Sequence, residues 1–210
     1  MEFDWKADIL PLRRLVDSIR SSDPALVPEI ADAWLVCALI ARDPDAAKDA
    51  LIALGDAPLS YEAVELNHLV LQGMIARMTN DDAQARAAFT AARAAQEKIV
   101  DTQPNYGPVQ CVLGLIDAGL GRREEALQEG RRAVELLPVE KDAINGPIMI
   151  EYLAMIAAWV GDNKLACEQL AISAQLEGGV SYGKLKLLPY WESLRGDPRF
   201  QKIVNSLAPK

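Results

Sequence analysis

Histidine is almost missing from the sequence, and cysteine is scarce. His68 is the single histidine, and the three cysteines, Cys37, Cys111 and Cys167, are far apart with no Cys-x-x-Cys pair. Structural zinc needs four clustered ligands, and most catalytic triads need a histidine beside the nucleophile. We therefore expect three buried, reduced thiols, a packed or surface histidine, and no metal site.

Basic runs and long apolar runs are also missing. The formal net charge is −8, so the summed field repels phosphate backbones. The longest apolar run, residues 33–41, is far shorter than the ~20 residues that cross a bilayer. A secretory signal begins with basic residues, whereas this chain begins with Glu2, Asp4 and Asp8 among its first eight residues. These absences predict a soluble, cytoplasmic chain that has neither nucleic acid nor a membrane as its partner.

Residue patterns for catalysis or cofactor binding are not found either. Gly178-Gly179 lacks the Lys-Ser/Thr pair that completes a phosphate-binding loop. Glu124 and Glu125 are adjacent acids, but the first turn of a helix is where the helix dipole favours carboxylates. We predict a protein that is not an enzyme and has no cofactor. The alternative, a small accessory enzyme built from helical hairpins, has no residues that support it.

The residues that are present in quantity favour helices. Half of the 210 residues are hydrophobic and only 6% are aromatic. Alanine and leucine are common, and β-branched residues are scattered instead of alternating, which favours α-helix over β-strand. A chain of this length can bury a sizeable core. The composition predicts an all-α fold.

Residues 107–138 contain a spacing of small residues that recurs elsewhere in the chain. Small side chains at these positions let two antiparallel helices approach closely. In this segment the pattern is formed by Leu113-Gly114, Gly121, residues 124–127, Ala133 and Pro138. Downstream it recurs as Leu153-Ala154, Gly161-Asp162, Ala166 and Ser173, and upstream as Gly73, Asn80-Asp81, Ala85, Phe89 and Ala92.

This pattern resembles the tetratricopeptide repeat (TPR), in which a Leu-Gly pair, a glycine turn, Glu-Glu-Ala-Leu, a small residue and a proline follow one another. Gly73, Gly114 and Ala154 are 41 and 40 positions apart, against 34 in the basic unit, so the surplus residues are expected between repeats. The resemblance implies a right-handed α-solenoid of antiparallel helix pairs. It predicts helices at residues 60–79, 81–101, 106–120, 123–137, 147–160 and 162–177.

The two ends of the chain are predicted to differ from the central repeats. Asp23-Pro24 and Asp43-Pro44 are typical helix starts, which predicts helices at 25–42 and 44–54 and a degenerate fourth repeat. Residues 184–200 resemble a tail that closes repeat arrays in large bacterial signalling proteins, with Asp197-Pro198 opening a capping helix. We expect one superhelical domain over residues 1–210, with N-terminal helices at 1–58, repeats at 60–178 and a cap at 179–210.

The resemblance also implies a partner-binding groove on the concave surface formed by the first helix of each pair. Its positions are mostly apolar, and Arg77 is the single cationic one, which disfavours a carboxylate clamp of several cations. An apolar or amphipathic polypeptide segment fits such a groove, because methionine repacks around varied shapes. Two alternatives remain open, in which the chain's own ends or a second copy fill the groove. The positions are Asn67, Val70, Met74, Arg77, Met78, Cys111, Leu115, Ile148, Glu151, Met155 and Trp159.

Overall fold

A computed structural model describes residues 2–209 and is mostly helical, which confirms the predicted helical fold class. Four successive helix pairs make up the centre of the molecule, and within each pair the two helices pack against each other. The pairs are α3 (Ala31–Ala41) with α4 (Pro44–Leu54), α5 (His68–Met78) with α6 (Asp82–Thr102), α7 (Gly107–Gly119) with α8 (Arg123–Leu136), and α9 (Asn145–Trp159) with α10 (Asn163–Ser173). Two helices, α1 (Glu2–Lys6) and α2 (Leu10–Ser22), precede them, and α11 (Tyr182–Leu187) and α12 (Pro198–Leu207) follow them.

Within each of the four pairs, a turn of the same geometry connects the first helix to the second. One or two residues after the end of each first helix, the backbone is left-handed, at Arg42, Asn80, Gly121 and Gly161, with φ of 53°, 55°, 76° and 77°. The next residue's N–H donates to the carbonyl five positions back, with N···O distances of 2.8–3.0 Å across Asp43–Ala38, Asp81–Ala76, Arg122–Asp117 and Asp162–Ala157. Glycine and asparagine adopt this conformation at least cost. The turns are therefore structurally equivalent, including the one in the N-terminal pair.

Small residues lie where the paired helices touch, as the spacing predicts. A Cβ built on Gly73 would lie 2.7 Å from the Phe89 ring, and one built on Gly114 would lie 3.0 Å from the Ala126 carbonyl oxygen. Ala154, the corresponding residue of α9, is fully buried. Larger side chains at these positions would separate the helices.

Two predicted helices are wrong in their first halves. Residues 59–66 form an antiparallel hairpin of β1 (Leu59–Tyr61) and β2 (Val64–Leu66), so helix α5 begins at His68 instead of residue 60. The chain reverses at Glu62, whose backbone is left-handed, with a φ of 51°. Residues 24–30 form two 3₁₀ turns, and α3 begins only at Ala31, because prolines 24 and 28 interrupt the backbone hydrogen-bond pattern.

The C-terminal segment lies against the last helix pair. Asp197 accepts a hydrogen bond from the Arg199 backbone N–H and caps α12, and Pro198 occupies its first turn. Phe200, Ile203 and Val204 on α12 are buried, and Trp191 is fully buried in the preceding 3₁₀ turn, Pro189–Leu194. This segment packs on α9 and α10.

Candidate functional site

Most of the eleven predicted groove residues lie inside the protein. Asn67 is partly buried and caps α5 by accepting from the Val70 N–H at 3.1 Å, and Met78, Glu151 and Trp159 are partly buried too. Arg77 is the exposed member of the set. The buried members are Val70, Met74, Cys111, Leu115, Ile148 and Met155.

The β-hairpin covers one part of this inner face. Strand β2 packs against α7, and Val64 and Leu66 are buried there while Glu65 between them is exposed. The Ala63 backbone N–H donates to the Asn145 side-chain oxygen at 3.1 Å, which ties the hairpin turn to the start of α9. The hairpin therefore packs against both α7 and the start of α9.

Helix α11 covers a second part of the inner face. The Lys184 ammonium donates to Glu151 at 2.9 Å and to the Tyr61 hydroxyl at 2.7 Å, and both ion-pair partners are nearly buried. Burial disfavours the charged form of Lys184 and by itself would lower its pKa. The Glu151 carboxylate and Tyr61 stabilise the charged form more strongly, so the pKa of Lys184 is raised above the ordinary value. One side chain thus joins α11, α9 and the hairpin.

Helix α1 contacts α11 and the residue before it. Ser181 donates to the Asp4 carboxylate at 3.0 Å, and a Cβ on Gly183 would lie 1.8 Å from the Phe3 carbonyl oxygen, so only glycine fits beside α1. Segments from both ends of the described chain therefore lie together at α11.

One cleft of about 350 Å³ remains open where α3, α5 and α9 end. We call it the α5–α9 cleft. It includes four of the predicted groove residues, Met74, Arg77, Met78 and Trp159. The lining residues are Leu39, Arg42, Met74, Arg77, Met78, Asn80, Ala158, Trp159, Pro189, Tyr190, Glu192 and Ser193.

Trp159 is a fixed aromatic wall of this cleft. Its indole N–H donates to the Tyr190 carbonyl oxygen at 3.3 Å, and the Phe89 ring meets it edge-on at a centroid distance of 6.3 Å. The Arg77 guanidinium carbon lies 4.4 Å from the centroid of the Trp159 ring, a cation–π contact. Burial at this contact lowers the pKa of Arg77, partly offset by the charge of Asp82.

The C-terminal turn forms the opposite wall. Ser193 donates to the Ala158 carbonyl oxygen at 3.2 Å. Arg42 donates to the Leu187 carbonyl oxygen at 2.7 Å and lies 3.5 Å from the Glu192 carboxylate. The left-handed turn at Arg42 thus directs a long cation to the C-terminal segment, a contact that local sequence patterns do not indicate.

A second hollow, of about 760 Å³, lies between α10 and α12 and contains none of the predicted residues. It is lined by Lys164, Cys167, Glu168, Ala171, Ala174, Gln175, Arg199, Lys202, Ile203 and Ser206. Its charged side chains include two pairs, Lys164 with Glu168 and Arg199 with Asp197 beside the hollow.

A buried charge cluster joins α6, α7 and α8 and was not predicted. Asp117 is fully buried, and one of its oxygens accepts from Arg93 at 2.7 Å and lies 3.2 Å from Arg122. Among residues 2–209 the other Asp117 oxygen and one Glu129 oxygen have no donor. Burial, and then the nearby Asp117 carboxylate, favour the protonated form of Glu129.

We expect Glu129→Gln to flatten the dependence of stability on pH. Burial, then the charge of Asp117 and the hydrogen bond to it, raise the pKa of Glu129 to about 8, against ~4.3 for an unfolded chain. The proton therefore stabilises the fold fully below pH ~4.3, and this stability is lost as pH rises through about 8. Glutamine keeps a donor for Asp117 without the charge. Because Glu129 is partly exposed and screened, we expect a gain of only ~1 kcal/mol at pH ~8.5.

Urea unfolding at several pH values between about 6 and 8.5 measures this effect. Glu124→Gln removes the same charge from an exposed position in the first turn of α8, and its curve should run parallel to that of wild type, with at most a constant offset from the helix dipole. If the Glu129→Gln curve ran parallel to that of wild type, a raised pKa of Glu129 would be ruled out.

Within residues 2–209, no group of three or more His, Cys, Asp or Glu side chains is placed to hold a metal ion. In the same part of the chain no helix has both the length and the apolar character to cross a bilayer. The three cysteines are buried and free. Comparison with protein-family models, with curated proteins and with solved structures gave no match.

Proposed function

We propose that the protein is a non-catalytic interaction module that binds a short polypeptide segment in the α5–α9 cleft. The observation that carries this proposal is a concave opening in which the Trp159 ring lies next to Met78 and to Arg77, a cation without an ion pair among residues 2–209. Aromatic anchors with flexible methionines are typical of surfaces that bind protein segments. At about 350 Å³ the cleft suits a few side chains instead of a long helix.

We also propose that the helix pairs are TPR-like and stack as a right-handed solenoid. The equivalent turns at Arg42, Asn80, Gly121 and Gly161 support this, together with the close helix contacts at Gly73 and Gly114. We further propose that the module works in the cytoplasm, as the C-terminal part of a larger bacterial signalling protein. The free thiols suit a reducing compartment, and the capped helix at Asp197 supports the resemblance to signalling-protein tails.

A second candidate is a structural module whose inner face is filled by its own ends. The contacts of Lys184 with Glu151 and of Tyr190 with Trp159 support it, because they place the C-terminal segment where a guest would lie. On this reading the α5–α9 cleft is a residual hollow that binds nothing.

Selection from a displayed library of random twelve-residue segments distinguishes the two candidates. We expect selection on wild type to enrich binding segments. These segments should bind the Met78→Glu variant at least tenfold more weakly than they bind wild type, because the new carboxylate would have to lose its hydration beside an apolar guest. The substitution is chosen at Met78 because Met74 and Met155 are buried, and charges there would disturb the fold.

Ile52→Glu is the matched control, since it adds the same charge to an exposed isoleucine on α4 outside the cleft. It should bind the enriched segments as wild type does. If nothing is enriched, the self-filled module is favoured. If the enriched segments bind Met78→Glu equally well, the cleft is the wrong site.

A further inference from the structure

Arg77 differs from the other charged groups of the α5–α9 cleft because it has no hydrogen-bond or ion-pair partner in the described part of the chain. Its guanidinium has no hydrogen bond or ion pair with any residue in the range 2–209; it lies against the Trp159 ring, and the charge of Asp82 acts on it from beyond ion-pair distance. The other charges are matched, because Glu192 lies 3.5 Å from Arg42 and 3.1 Å from Arg195. The charge left over inside the cleft is therefore a single positive one, on a chain whose formal net charge is −8.

Arg77 is exposed as a whole residue, but part of its guanidinium faces apolar side chains instead of water. Leu39, Met74 and Ala158 are buried apolar residues of the lining, and Trp159 covers a face of the guanidinium. Partial removal of water raises the free energy of a lone cation and strengthens any pair that it forms. The N–H donors of a guanidinium lie in its plane, so stacking on a ring leaves them free to bind an acceptor.

We propose that the polypeptide segment bound in this cleft carries an acidic side chain that pairs with Arg77, flanked by apolar side chains that contact Trp159 and Met78. This inference rests on the proposed function and names its partner class. A carboxylate fits the planar donors of a guanidinium in two parallel hydrogen bonds. One cation is enough to pair with one side-chain carboxylate. A carboxylate clamp on a partner's C-terminus needs several cationic donors, and Arg77 is the one unpaired cation that the described residues place in the cleft.

The sequence alone did not indicate this pairing. The Arg77 side chain is one of eleven groove positions, and Trp159 is 82 positions away in the chain. In the folded chain the end of α5 lies beside the end of α9, where Arg77 contacts Trp159. The stacked pair results from tertiary structure.

Two matched peptide libraries test the proposal. Each has ten residues, an acetylated N-terminus and an amidated C-terminus, and a central position flanked by Leu, Met, Phe, Trp and Tyr in all combinations. The central residue is Glu in one library and Gln in the other, so the two differ only in side-chain charge. Binding to the full chain is measured by fluorescence polarisation at two salt concentrations.

We expect the best Glu peptides to bind wild type about tenfold more tightly than their Gln counterparts, with the difference shrinking at high salt. Arg77→Met keeps an apolar chain over Trp159 and should abolish the difference. Arg77→Lys should retain part of it, because the charge remains without the planar donors. Arg131→Met removes the same charge from an exposed position on α8, outside the lining, and should leave the difference intact.

The outcomes separate this inference from the function on which it rests. If Glu and Gln peptides bind equally and both lose affinity in Met78→Glu, the cleft binds segments but acidity is not recognised, and the inference is wrong. If no peptide of either library binds wild type, both proposals are overturned. Thermal unfolding of each variant shows whether a lost signal reflects a lost fold.

Discussion

Replacing Phe89 with alanine is expected to lower the free energy of unfolding by ~3–5 kcal/mol. The Phe89 ring is fully buried and fills the space left by two glycines on neighbouring helices. A Cβ would lie 2.7 Å from the ring at Gly73 on α5 and 2.6 Å from it at Gly119 on α7. Both helices therefore lose contacts at once, and the cavity is walled by backbone that cannot collapse easily.

The same substitution should disturb the α5–α9 cleft, because Phe89 also contacts the Trp159 ring. Chemical denaturation measures the stability, and Ile99→Ala on the same helix is the control. Ile99 is 38% exposed, so its truncation should cost no more than ~1 kcal/mol. A Phe89→Ala protein about as stable as this control would contradict the described packing of α5, α6 and α7.

Replacing Asp117 with alanine is expected to cost ~3 kcal/mol. Its carboxylate is fully buried and holds Arg93 of α6 at 2.7 Å and Arg122 at 3.2 Å. Removing it leaves a partly buried Arg93 without its main partner, since the remaining partner is the more exposed Glu97. The pKa of Glu129 should then fall, because the charge of Asp117 and its hydrogen bond both raise it.

Urea unfolding at neutral pH measures this cost, and NMR titration of the Glu129 side chain follows its pKa. Asp49→Ala on α4 removes the same charge from an exposed site and should change stability by less than ~0.5 kcal/mol. If Asp117→Ala were as stable as wild type, the cluster would not connect the three helices as described.

The helix pairs could be predicted because their causes are local. Gly121, Gly161 and Asn80 are residues that tolerate left-handed backbone, and small residues at fixed spacing mark the contacts between helices. Arg42 adopts the same conformation although arginine is not typical of it, so the first turn gave a weaker signal. Glu62 behaves similarly: a Glu-Ala turn is not typical of a β-hairpin, and the hairpin was predicted as helix.

The candidate site could be predicted only in part. The first-helix positions follow from the predicted repeat, but whether they are exposed depends on segments that are distant in sequence. Lys184 contacts Tyr61 across 123 positions, and Arg42 contacts Leu187 across 145. No local pattern specifies such contacts, so the burial of Met74 and Met155 and the stacking of Arg77 on Trp159 required the three-dimensional structure.

The methionine methyl groups offer the most direct test of the central claim that a polypeptide segment binds in the α5–α9 cleft. Met74 and Met78 line the cleft, whereas Met149 is fully buried on α9 near Gly107. In a chain labelled with ¹³C at the methionine methyls, the tightest-binding selected segment should shift the NMR signals of Met74 and Met78 and leave that of Met149 unchanged. Saturable binding with the Met74 and Met78 signals unmoved would contradict the account.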